Sequence, residues 1–138
     1  MEKLLTQTED YNCGVFALEY LLRLKGINLT PEVIEVGCKT DKENGTSHDN
    51  IMEFLEKSYI PFGFSYDCTI SYLFNHEPCL VNYQYENDGH YGIVVGHDDK
   101  NLKLYNPATG KMETMNFHTF EENWYSDRYG KRWLLFLK

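Results

Sequence analysis

The sequence predicts an α+β fold, with N-terminal helices packed against a C-terminal antiparallel β-sheet. Three observations carry that prediction. Apolar residues recur at helical spacing through the first sixty positions, and from Pro61 onward the period changes towards alternation. The chain of 138 residues also holds no linker, repeat or low-complexity tract, so residues 1–138 are read as one domain.

The first element is the run NCGVFALEYLLRLKG. Val15, Leu18 and Leu22, with Phe16, Leu21 and Leu24 beside them, form an apolar face, and Gly26 is a natural stop. Asn12 is placed to cap the helix, which puts Cys13 in its first turn. Thr30-Pro31 opens a second helix ending near Gly37. The polar stretch KTDKENGTSHD then reads as an exposed connector with a turn at Asn44-Gly45. Ser47 or Asp49 caps a third helix, which runs to about Ser58. Strands are expected near Phe62–Tyr66, Leu80–Tyr85, Tyr91–His97, Leu102–Tyr105, Lys111–Met115 and Trp133–Leu137. Short helices near Ile70–Phe74 and Phe117–Trp124 interrupt them.

A net charge of −8 with no basic stripe argues against nucleic acid as a partner. No apolar run reaches membrane-spanning length, and the opening MEKLLTQTED does not resemble a secretory signal, so no membrane partner and a cytoplasmic location are expected. Cys13, Cys38, Cys68 and Cys79 form no CxxC pair. In a reducing compartment they read as free thiols.

Cys13 is the residue whose setting suggests chemistry. A thiol reacts as its thiolate, and both a helix N-terminus and a nearby imidazolium favour that form. Gly14 would let a substrate approach the backbone closely. Gln7, six residues earlier, offers a side-chain amide that can donate to an oxyanion alongside the Cys13 N–H. His90, in DGHYGIVVGHDD, lies at the mouth of a strand, where a base can face a cleft while the strand holds its backbone. His97, seven residues on, falls on the opposite face of an unbroken strand and is the poorer candidate. Asn106, closing LKLYNP, falls roughly opposite Gly92 or Ile93. There its amide oxygen can fix the imidazole's tautomer.

The ordered set resembles the bacteriocin-processing, double-glycine peptidase family of the papain-like clan. The likeness runs from Gln7 to about Trp124. It rests on QTEDYNCG, on Gly45-Thr46-Ser47, on Gly89-His90-Tyr91 leading into Val94-Val95-Gly96, on Tyr105-Asn106-Pro107 and on the Phe117–Trp124 segment. The resemblance implies a papain-like fold, with Cys13 as nucleophile, His90 as general base and acid, Asn106 as orienter and Gln7 as oxyanion donor. Two positions depart from it. Family members often carry an acidic residue where this chain has Asn12, and commonly Asp-Pro where it has Asn106-Pro107.

The expected function is therefore that of a stand-alone cysteine peptidase acting on a peptide or protein, with no metal or cofactor required. Related thiol amidase, deamidase or acyltransferase chemistry uses the same machinery. A non-catalytic peptide-binding domain is the alternative of a different class. A metal site from His76, Cys79, His90 and His97 is set aside because His90 and His97 are expected on opposite faces. His48 and His118, near helix starts, read as surface residues. Cys38, Cys68 and Cys79 read as small buried apolar groups.

Overall fold

The computed structural model describes residues 3–138. Helix α1 (Cys13–Leu24) is followed by α2 (Pro31–Gly37) and α3 (His48–Lys57). Thr30 caps α2 by accepting the Val33 N–H, and Ser47 caps α3 through Asn50 N–H. The Asn12 side chain, by contrast, makes no cap hydrogen bond. Its Oδ1 accepts from Glu9 N–H at 3.0 Å and its Nδ2 donates to Thr8 Oγ1 at 2.8 Å. Asn12 thus ties the turn leading into α1 and leaves the helix N-terminus uncapped.

The remainder is β1 (Phe62–Ser65), α4 (Ile70–Phe74), β2 (Cys79–Tyr85), β3 (Asp88–His97), β4 (Asn101–Asn106), β5 (Lys111–Asn116), α5 (Phe117–Asn123) and β8 (Leu134–Leu137), with a small hairpin of β6 (Tyr125–Ser126) and β7 (Gly130–Lys131). Six strands form one sheet in the order β1-β8-β2-β3-β4-β5, and neighbouring strands in it pair antiparallel. The β6–β7 hairpin is a feature that the sequence pattern did not announce.

Alternation along the strands builds a core on each sheet face. Leu80, Ile93, Tyr105 and Leu135 join the α1–α3 side, where Leu18, Leu21, Ile34 and Leu55 are buried. Their neighbours Val81, Val94, Leu104 and Leu134 join Leu73 of α4 and Phe120 of α5 on the other face. Helices therefore cover both faces of the sheet.

Two irregularities position the site. Glu86 and Asn87 both have positive φ and close a two-residue hairpin between Tyr85 and Asp88, so β3 begins earlier than expected. The β3–β4 register shifts between Val94 and Gly96, a bulge that inserts Val95. Counting faces across that bulge is invalid, so the parity reason for discounting His97 falls. His97 is set apart by its surroundings instead, hydrogen-bonded to Glu77 at 2.9 Å and stacked on Phe74.

His48 is not a surface residue. It is 1% exposed, stacked on Trp133 with ring centroids 3.8 Å apart, and its Nδ1 lies 2.6 Å from Tyr91 Oη. Tyr91 Oη donates to the Thr46 carbonyl at 2.8 Å, so His48 Nδ1–H is the donor to Tyr91.

Candidate active site

Helix α1 packs against β3, and its first residue meets that strand near Tyr91. A Cβ on Gly14 would lie 2.9 Å from Tyr91 Cδ2 and 3.1 Å from Thr46 Cβ. Gly14 thus allows close packing of the helix start against the strand. Cys13, 8% exposed, lines a cleft of about 420 Å³. Lys42 and Glu43 line the same cleft, so the expected plain connector is one of its walls.

Burial pushes the Cys13 thiol above its usual range, and the Asp88 charge adds to this. The main-chain groups of Tyr91, Gly14 and Cys13 itself work in the opposite direction. Desolvation thus outweighs the favourable main-chain groups at the helix start.

His90, 6% exposed, lies near the start of β3. Its ring stacks on Tyr85 at 4.7 Å and meets Tyr83 edge-on at 5.6 Å. Its Nε2 lies 2.7 Å from Asn106 Oδ1. The polarity of that bond is fixed by its neighbours. Asn106 Nδ2 donates to Glu113 Oε1 at 3.1 Å, while Asn106 Oδ1 also accepts the Ala108 N–H at 2.9 Å. Oδ1 is an acceptor, so His90 Nε2 carries a proton, and in the neutral ring Nδ1 is the nitrogen that holds the lone pair. Burial lowers the His90 pKa, while the Asn106 bond and then the Glu113, Glu86 and Asp88 charges raise it.

The structure thus brings His90 and Asn106 together directly and sets Cys13 against the residue that follows His90. Gln7 is placed differently. Its backbone N–H donates to the Pro107 carbonyl at 2.8 Å, which ties its segment to the Asn106-Pro107 turn. Its side-chain Nε2 donates to the Glu9 carbonyl at 2.8 Å; of the four candidate residues, Cys13 lines the cleft, while Gln7, His90 and Asn106 lie outside its lining.

A model of the peptidase C39 family matches residues 1–127. The chain belongs to the peptidase C39 family. This C39 chain shares its fold with the peptidase domain of Streptococcus ComA, described as a bi-functional ABC transporter involved in a quorum sensing pathway. That likeness has a TM-score of 0.79 at 22% identity and covers 99% of this chain and 98% of the other. A double glycine motif protease from an AMS/PCAT transporter, solved in complex with the leader peptide, matches with a TM-score of 0.81 at 18% identity, covering 98% and 89%. An uncharacterized protein of Methanothermobacter thermautotrophicus is 27% identical over 111 residues, covering 80% of this chain and 75% of that relative. No helix among the described residues is long and apolar enough to cross a membrane, and no group of three or more His, Cys, Asp or Glu among them could hold a metal ion.

Two residues of this C39 chain escaped the sequence reading. Asn82 of β2, directly opposite Tyr91, lines the cleft at 4% exposure, and its Oδ1 has no hydrogen-bond partner among the described residues. A lone asparagine within the strand CLVNYQY was its only signal. Glu113 sits in a strand with no motif, and only the pairing of β4 with β5 brings it to Asn106.

Proposed function

We propose that this C39 chain hydrolyses peptide bonds through Cys13, His90 and Asn106. The observation that carries the reading is the His90–Asn106 hydrogen bond. It leaves Nδ1 of a buried imidazole as a free base, on the strand that meets the start of α1. The Cys13 Sγ attacks the substrate carbonyl carbon as its proton passes to His90 Nδ1. The resulting oxyanion takes hydrogen bonds from the Cys13 N–H and from Gln7 Nε2, which must exchange its bond to the Glu9 carbonyl to do so. His90 then gives its proton to the leaving amine, leaving a thioester. Water attacks that thioester, with His90 again taking a proton, and the free acid and thiol are released.

A peptide substrate is supported by the leader peptide bound to the double glycine motif protease. Asp10, Glu43, Asp88 and Asp127 face Lys42 and Arg128 around the cleft, a balance that favours a neutral or basic peptide. Asn82 Oδ1, buried and unpaired, is the acceptor for a substrate main-chain N–H.

A proteome-derived peptide library digested by the parent and by Cys13→Ala, and read by mass spectrometry, tests the activity. New peptide termini in the parent digest alone are expected. Identical digests, with peptide binding retained by Cys13→Ala, would make this a non-catalytic binding domain.

A further inference from the structure

Asn106 holds His90 with a neutral amide at 2.7 Å, and an amide stabilises an imidazolium less than a carboxylate does. The charge is not missing from the site; it lies one residue further out. Glu113, half-buried on β5 opposite Leu104, accepts from Asn106 Nδ2 at 3.1 Å through Oε1 and from Thr109 Oγ1 at 2.7 Å through Oε2. Asn106 in turn accepts from His90 Nε2 at 2.7 Å. The three side chains form one directed chain, from imidazole N–H to amide oxygen and from amide N–H to carboxylate. An amide whose N–H is bonded to a carboxylate is polarised towards its oxygen, which strengthens the bond that the oxygen accepts.

We propose that Glu113 is a positioning residue, a carboxylate that acts through the Asn106 amide to hold its orientation and to favour the protonated form of His90. The other groups around the imidazole do not do this. From β2 it meets the rings of Tyr83 and Tyr85. From the β2–β3 hairpin it feels Glu86 and Asp88, whose side chains are exposed and screened by solvent. Of these carboxylates, Glu113 alone is hydrogen-bonded to the residue that orients the ring, and two bonds from that residue's own turn segment fix its place. It is also the carboxylate with the largest influence on His90, raising its proton affinity.

The consequence for turnover rests on the peptidase reading, but the titration of His90 does not. The test therefore follows the His90 imidazole by NMR against pH in the Cys13→Ala background, with the ring signals assigned through His90→Gln. Glu113→Gln keeps the shape and an acceptor for Asn106 while removing the charge. Its His90 is expected to lose about tenfold in proton affinity, the order of one charge-assisted hydrogen bond. With Cys13 restored, alkylation of that thiol by iodoacetamide at pH 6 should slow by a similar factor.

A merely structural role would not produce the next result. Asn106→Asp alone sets two carboxylates against each other at hydrogen-bond distance and should lower the melting temperature. Combined with Glu113→Gln, it should recover the parent's melting temperature, because the new amide donates to the new carboxylate, and should bring His90 proton affinity back to the parent's or above it, because the charge then lies directly on the ring's partner. A His90 titration in Glu113→Gln that superimposes on the parent's overturns the proposal. So does an Asn106→Asp effect that is the same with and without Glu113→Gln. Movement of the His90 titration in a protein that hydrolyses no peptide would leave this proposal standing and remove the peptidase reading. Peptide hydrolysis with an unmoved titration would do the reverse.

Discussion

At the scale of single residues, the site depends on amide groups whose two ends do different work. Asn106 Oδ1 receives both the His90 Nε2–H and the Ala108 N–H, so Asn106→Ala leaves a buried imidazole proton unpaired and the ring free to turn. Peptide hydrolysis by Asn106→Ala should fall about a hundredfold in kcat, with KM little changed, the order expected when a positioned acid–base group loses its orientation. Asn82 should divide the two constants the other way. Asn82→Leu removes an unpaired acceptor from the cleft wall, so KM for a peptide should rise several-fold while kcat holds. Steady-state kinetics on one cleaved library peptide checks both. Cys13, His90 and Asn106 were legible because each carries a local sign: a helix start, a Gly-His strand mouth and an Asn-Pro strand end. Asn82 and Glu113 were not, since their places beside Tyr91 and Asn106 arise from strand register, which links positions far apart in the chain. His48 was misread for the same reason. Its stacking partner, Trp133, lies in the last stretch of the sequence.

At the scale of elements, α1 and β3 must approach closely for a thiol on one to serve an imidazole on the other. Gly14 allows that approach, because an added Cβ would stand 2.9 Å from the Tyr91 ring. Gly14→Ala should cost about 1–3 kcal/mol of stability through overpacking, measured by urea unfolding. It should also depress activity more than the stability loss explains, because the helix start that carries Cys13 is the part displaced. The helices and the six sheet strands could be read from periodicity and caps, with the start of β3 moving by three residues and the other strand ends by one at most. Periodicity could not reveal the Val95 bulge, which resets alternation midway along β3, or β6 and β7, which are too short to show a period. The loop from Lys42 to Thr46 looked like a connector because it is polar. Only the folded chain sets it beside Cys13.

At the scale of the whole molecule, buried histidines couple stability to pH. His48, enclosed by Trp133, Tyr91 and Tyr129, has its pKa lowered from the usual 6.5 to about 3 by desolvation. Between those values the unfolded chain binds a proton that the folded chain refuses, so stability is complete above pH 6.5 and is lost as the pH falls towards 3. His90, also lowered by burial, acts in the same direction. The His48 contribution lost between pH 6.5 and pH 4 is on the order of 3 kcal/mol. Urea unfolding across that range should therefore give a shallower pH slope for His48→Phe than for the parent. Equal slopes would mean that His48 is protonated in the folded state.

The account as a whole turns on a proton moving from Cys13 to His90. The direct measurement is the rate of iodoacetamide alkylation at pH 7, mapped to each cysteine by mass spectrometry, in the parent and in His90→Ala. Burial raises the Cys13 thiol on its own, so its reactivity should depend on the imidazole. Cys13 of the parent should react well ahead of the enclosed Cys38, Cys68 and Cys79, and His90→Ala should slow Cys13 at least tenfold, a loss of one decade or more in thiolate population. Alkylation of Cys13 at the same rate with and without His90, or reaction of another cysteine first, would contradict it.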